Sequence, residues 1–265
     1  MTNKSFSSLF RSFAGALSVA TLLLLNCSLS HAQKFSLPVG GYTDGVRVLL
    51  LGNSFTYFHD CDSMLVQIGR SQGVKVCIGE YLKGGMTFGQ HLNHPSSGEA
   101  IAAGNYKVAF IQDYSNAAAL YAKGGRDDIL ECTKLLKERI LQASPSCRII
   151  LERTWSFEGD GAGGFKDSSE LDSYIEKGSR KIARKTHLER SPIGDAFNLC
   201  RELYPDIDLL SADRKHQSRA GSYLKVCVNF LLVTGTPFSG DVASCGLPKE
   251  DAERLREVAS KTVLK

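Results

Sequence analysis

The sequence has little that would hold a metal ion or a nucleotide. Its eight cysteines form no Cys-x-x-Cys pair, and none stands with histidine at zinc-finger spacing, so no metal site is expected. One stretch is rich in glycine, "GDGAGGF" (159–165), but no Gly-Lys-Ser/Thr follows it. It therefore reads as a mobile loop and not as a phosphate cradle. No basic patch is interleaved with aromatic residues, and the net charge is only +4 over 265 residues, so nucleic acid is not an expected partner. No apolar run reaches the ~20 residues needed to span a bilayer. Internal repeats and low-complexity tracts are also missing, which leaves an ordinary folded chain.

What is present begins with the N-terminus. Residues 1–32 carry Lys4 and Arg11, no acidic residue, and the apolar run "AGALSVATLLLL". Ser30 and Ala32 occupy the −3 and −1 positions of a cleavage before Gln33. This is the pattern of a secretory signal peptide, and it predicts a protein in the periplasm or outside the cell. Cys27 offers a lipoprotein alternative, disfavoured because Asn26 is bulky for the lipid-attachment motif. The remainder, 33–265, has the size of one domain. It keeps seven cysteines; export permits disulfides, and an odd count leaves at least one free thiol within the chain.

Four short apolar runs follow, each succeeded by a helical pattern: 46–51, 74–81, 107–112 and 147–153. A fifth, shorter run lies at "HLERSP". Helices are expected over 127–142, 169–185, "SPIGDAFNLCREL", 218–234 and "PKEDAERLREVASKTV", with Gly235 ending the fourth. Such alternation predicts an α/β fold: a three-layer α/β/α sandwich around a mostly parallel sheet of about five strands.

In an open parallel sheet, ligands bind beyond the carboxyl ends of the strands. "LLLGNSFT" ends the first run by presenting the hydroxyl of Ser54. Gly84 and Gly85 follow the second run, Gln112 ends the third with Asn116 close behind, and "RTW" ends the fourth. Serine is a weak nucleophile without a base, and the base needs a partner to orient it. Among the histidines beyond residue 32, only His216 has a carboxylate at short spacing in a loop, Asp213 in "DRKH". Ser54, His216 and Asp213 are therefore the candidate catalytic set. Trp155 is open to two readings, a wall of the substrate cleft or a core residue. His91 and His94 lack the acid or cysteine that would complete a metal set and read as rim or surface residues. Asp60 and Asp62 read as caps of a helix starting near Ser63.

At these residues the sequence resembles the SGNH hydrolase superfamily, the GDSL-like esterases. "GNSFT" is similar to the block bearing the nucleophile, "GGMTF" to the block whose glycine N–H helps receive the oxyanion, and "DRKH" to the terminal Asp-x-x-His block. The resemblance implies a flavodoxin-like fold with Ser54 and Gly85 in the oxyanion hole. It departs at the third block, where "IQDYSN" replaces Gly-x-Asn-Asp. The third oxyanion donor is then Gln112, favoured for its place at the strand end, or Asn116. The expected function is a secreted esterase acting without a cofactor on small esters or acylated carbohydrates. A lipase or thioesterase on the same triad and a catalytically silent glycan-binding protein are the alternatives.

Overall fold

The computed structural model describes residues 45–158 and 164–264, together with the backbone of 33–36. The expected signal peptide, its cleavage site and most of the glycine-rich loop lie outside these residues. Five strands run parallel: β2 (Val46–Gly52), β3 (Val76–Lys83), β4 (Val108–Ile111), β5 (Arg148–Glu152) and β6 (Glu189–Ser191). A short strand, β1 (Gln33–Ser36), lies antiparallel to β3 at the edge. The spatial order is β1-β3-β2-β4-β5-β6.

The unbroken "VLLL" of β2 reflects burial on both faces. Val48 and Leu50 enter one core layer, and Leu49 and Leu51 enter the other. The first layer packs against α2 (Cys61–Ser71), α8 (Ile193–Leu203), α9 (Arg219–Thr234) and α10 (Lys249–Val263). The second packs against α3 (Phe88–Asn93), α4 (Pro95–Ala102) and α6 (Ile129–Ala143), while α7 (Ser168–Thr186) gives Leu171 and Ile175 to the first layer and Ile182 and Ala183 to the second. The three layers are those the alternating pattern predicts. Three short helices, α1 (Ser54–Tyr57), α4 and α5 (Ala117–Ala122), and the edge strand β1 were not anticipated; each is too short to show a clear period.

Some boundaries shift for local reasons. The second strand begins at Val76 and not at residue 74, because the Val74 N–H turns back to the Gly69 carbonyl. It runs on to Lys83 because β1 pairs with that end. Asp60 does precede α2, but its φ of 58° is left-handed and its side chain makes no capping hydrogen bond. Helix α9 behaves as expected: the Ser218 side chain accepts from the Gly221 N–H, and Gly235, at φ 65°, ends the helix.

The strand order places β3 on one side of β2 and β4 on the other. Helix α2, which follows β2, lies against the first core layer. Helices α3 and α4, which follow β3, lie against the second. The connections diverge to opposite faces, so a crevice opens at the carboxyl end of β2. That is where Ser54 sits.

Candidate active site

Strand β2 ends at Gly52, where the chain needs room. A Cβ there would stand 2.5 Å from Thr56 Oγ1 and 3.3 Å from Gln112 Oε1. Asn53 then caps the short helix α1 (Ser54–Tyr57), its side-chain oxygen accepting from the Phe55 N–H at 3.2 Å. The Asn53 amide donates to the carbonyls of Met86 and Asp113, 3.0 and 3.1 Å away, tying the turn to the loops after β3 and β4. Ser54 is the first helical residue, a position whose N–H has no partner within a helix.

The sequence places 162 residues between Ser54 and His216, yet Ser54 Oγ lies 2.9 Å from His216 Nε2. His216 Nδ1 lies 2.6 Å from Asp213 Oδ2. The other carboxylate oxygen of Asp213 accepts from the backbone N–H groups of Lys215 and His216, both at 3.0 Å. This Asx-type turn, with Arg214 at a left-handed φ of 53°, is what folds "DRKH" so that carboxylate meets imidazole. Burial raises the Asp213 pKa, but the bonds from His216 and the two N–H groups outweigh it, and the net shift is downward. The carboxylate is thereby favoured as the partner of His216.

The loop holding this pair is itself anchored. Leu210 bridges Gln217 in antiparallel fashion, and the Ser211 N–H donates to the His216 carbonyl at 2.8 Å. Arg214 reaches Asp208 at 2.8 Å and Glu158 at 3.3 Å. Phe58 stacks on the His216 ring at 4.2 Å between centroids.

A cleft of about 320 Å³ opens over Ser54 and His216, lined also by Tyr57, Phe58, Gly85 and Tyr114. Gly85 has a φ of 74°, a left-handed conformation that a side chain would strain. Tyr114, 37% exposed, stands at the mouth with Lys215 Nζ 5.4 Å from its ring centre.

The candidate residues do not all reach the cleft. Gln112 is buried below it: its amide nitrogen donates to the Asp113 carbonyl, and its oxygen accepts from Thr56 Oγ1. Asn116 is also buried, one residue beyond the cleft-lining Ser115, and its Oδ1 has no hydrogen-bond partner. Of the two readings of Trp155, the structure gives the core one. The indole is 1% exposed, sandwiched between Phe55 and Phe197 at 4.3 and 4.6 Å. Its Nε1 donates to the Lys215 carbonyl, so it braces the His216 loop from beneath.

His91 is a correction. It is not a rim residue but is buried, with Nε2 3.2 Å from the Gly52 carbonyl and Nδ1 2.9 Å from Ser97 Oγ. A carbonyl only accepts, so Nε2 carries the proton and Nδ1 accepts from the serine. Apolar spacing did not reveal this; its signal was only a histidine on an otherwise core-facing helix. His94 pairs with Tyr81 OH at 2.8 Å. Among the described residues, no group of three or more His, Cys, Asp or Glu could hold a metal ion. All seven described cysteines are free thiols.

Burial lowers the His91 pKa to about 4 from an ordinary 6.5. The unfolded chain therefore binds a proton that the folded one does not, and stability falls as pH drops from 6.5 towards 4. The shift is worth about 3 kcal/mol at full effect. Urea unfolding of wild type and His91→Gln across this window is expected to show that loss in the wild type relative to the variant. Parallel curves would remove the assignment.

Comparison with family profiles and with curated proteins finds no match to this chain. Solved structures do match. A DUF4886 family protein from Bacteroides uniformis is 18% identical, with a TM-score of 0.70 over 83% of this chain and 95% of that one. A candidate SGNH hydrolase from Slackia heliotrinireducens is 20% identical, with a TM-score of 0.56 over 72% and 97% of the two chains. An acetyl xylan esterase from Geobacillus stearothermophilus, carrying a point substitution, is 20% identical, with a TM-score of 0.52 over 75% and 98%. The chain has the SGNH hydrolase fold.

Proposed function

We propose that the protein is an exported serine esterase that removes short acyl groups, acetyl above all, from carbohydrates. The observation that carries this reading is the unbroken line from Asp213 through His216 to Ser54 at a small cleft. Ser54 Oγ attacks the ester carbonyl while His216 Nε2 takes its proton. Asp213 holds the imidazole in the tautomer with Nδ1 protonated and stabilises the imidazolium. The N–H groups of Ser54 and Gly85 receive the oxyanion. Gln112 is engaged with Asp113 and Thr56, and neither it nor Asn116 lines the cleft, so the reading rests on these two backbone donors. Collapse expels the alcohol, protonated by His216. Water then attacks the acyl-serine by the same route and releases the acid.

The cleft bounds the acyl group. A volume of about 320 Å³ walled by Tyr57 and Phe58 suits a short chain better than a fatty acyl tail. Tyr114 supports the carbohydrate half of the reading: a half-exposed ring at the mouth offers a flat apolar face with a polar tip. Structural similarity to an acetyl xylan esterase agrees with it. Export rests on the signal-peptide pattern of residues 1–32.

p-Nitrophenyl esters of increasing length, followed by acetylated polysaccharides, test the reading. We expect kcat/KM to be highest for acetate and to fall about tenfold or more by the octanoate, with acetate released from the polysaccharide. A preference for long chains would transfer the protein to the lipid hydrolases. A protein that binds glycan, hydrolyses nothing and resists a fluorophosphonate probe would be a binding module.

A further inference from the structure

Beneath the Ser54 turn lies an ion pair that the chemistry above does not use. Lys225 Nζ and Glu152 Oε2 are 2.7 Å apart, and both side chains are only 2% exposed. Glu152 is the last residue of β5, and Lys225 projects from the middle of α9. The ammonium has three protons and three acceptors: Glu152, the Phe55 carbonyl at 2.8 Å and Thr56 Oγ1 at 3.1 Å. Asn229, one turn further along α9, donates to the other oxygen of Glu152 at 2.9 Å.

The acceptors on the other side belong to the helix bearing Ser54. Four residues are too few to hold a helix by its own hydrogen bonds. The Phe55 carbonyl sits in the last turn, where helices leave such groups unpaired. Here it receives both Lys225 Nζ and, at 3.1 Å, Gln217 Nε2. Thr56 passes the contact on by donating to Gln112, whose amide donates to the Asp113 carbonyl. That carbonyl also receives Asn53. The circuit surrounds Ser54 on its inner side and leaves the hydroxyl alone facing the base.

A purely structural role explains this poorly. A buried ion pair is seldom more stabilising than apolar residues of the same volume. What it supplies that an apolar pair does not is direction, three hydrogen bonds at fixed angles. Its carrier is also telling. Helix α9 is capped by Ser218, two residues after His216, so one rigid element holds the base at its start and grips the nucleophile turn two helical turns later.

We propose that Lys225, held by Glu152 and Asn229, is a positioning residue that fixes the Ser54 turn in register with His216. The inference rests on the reading of Ser54 as nucleophile. Misplacing reacting groups by about 1 Å costs on the order of 100-fold in rate.

The test pairs Glu152→Gln with Lys225→Met, which removes both charges and keeps both volumes. With p-nitrophenyl acetate, kcat is expected to fall about 10- to 100-fold while KM stays within about threefold and melting remains cooperative. Fluorophosphonate labelling of Ser54 should slow in parallel. Thr56 gives a milder second arm: Thr56→Val should lose about tenfold in kcat, and Thr56→Ser, which keeps the hydroxyl, should stay within about twofold of wild type. A folded double variant with wild-type kcat would overturn the proposal. If the double variant does not fold, equal kcat in Thr56→Val and wild type overturns it. Wild-type protein that neither hydrolyses esters nor labels at Ser54 sinks the nucleophile reading, and this inference with it. Wild type that labels normally beside an unimpaired variant sinks this inference alone.

Discussion

Ser54→Ala and His216→Ala are each expected to lower kcat by about four orders of magnitude or more, and the double variant to be no worse than either. Removing Ser54 Oγ deletes the attacking atom. Removing the imidazole of His216 leaves a neutral hydroxyl without the base that stood 2.9 Å away. The two groups act in one step, so their losses do not add. Neither substitution opens a core cavity. Ser54 faces the cleft, and the His216 ring leans on Phe58 at its edge. Melting temperatures should therefore stay close to wild type, and KM should change far less than kcat. Steady-state kinetics on p-nitrophenyl acetate, with fluorophosphonate labelling as a second readout, decides the matter. Substantial turnover in folded Ser54→Ala would reduce "GNSFT" to a strand-ending turn.

At Asp213 the two obvious substitutions should part company, with asparagine the worse. Asp213 Oδ1 accepts from two backbone N–H groups, and Oδ2 faces His216 Nδ1. An asparagine would keep its oxygen on those N–H groups and turn its NH₂ towards the ring. The imidazole must then accept at Nδ1 and carry its proton on Nε2, where it donates to Ser54 and cannot take the serine proton. Wrong-tautomer substitutions of this kind cost about 10⁴-fold in a well-studied serine protease. Asp213→Ala imposes no tautomer and opens the half-exposed site to water, so it should retain more activity than Asp213→Asn. Measuring kcat for both, with melting curves as the folding control, tests the argument. Equal activities would mean that tautomer control does not act here, and an Asp213→Asn near wild type would remove Asp213 from the set.

The order of elements and the meeting of Ser54 with the Asp213–His216 pair were legible because each depends on local signals. Buried strands show as short apolar runs, and a three-residue Asp-to-His spacing suits one tight turn. Strand order adds the rest, since every loop at one sheet edge converges. The shapes of the side-chain networks were not legible. Gln112 looked available because it ends a strand, but its direction is set by Thr56 and Asp113, which no periodicity reveals. Trp155 kept two readings because its burial depends on Phe55 and Phe197 arriving from distant segments. Lys225 did leave a trace: a lysine inside "SYLKVCVNFLL" is out of place unless it is paired in the interior. Its partner, Glu152, lies 73 residues away, beyond the reach of any spacing argument.

That long separation between nucleophile and base bears on how the molecule comes into being. Ser54 is made early, and His216 follows 162 residues later on the loop that leads into α9. A growing chain can pair β2 with β3 and β4 while its serine still lacks a base, because joining the distant segments requires closing a long loop. On the proposed triad, Ser54 therefore gains its base only when the segment carrying His216 has docked.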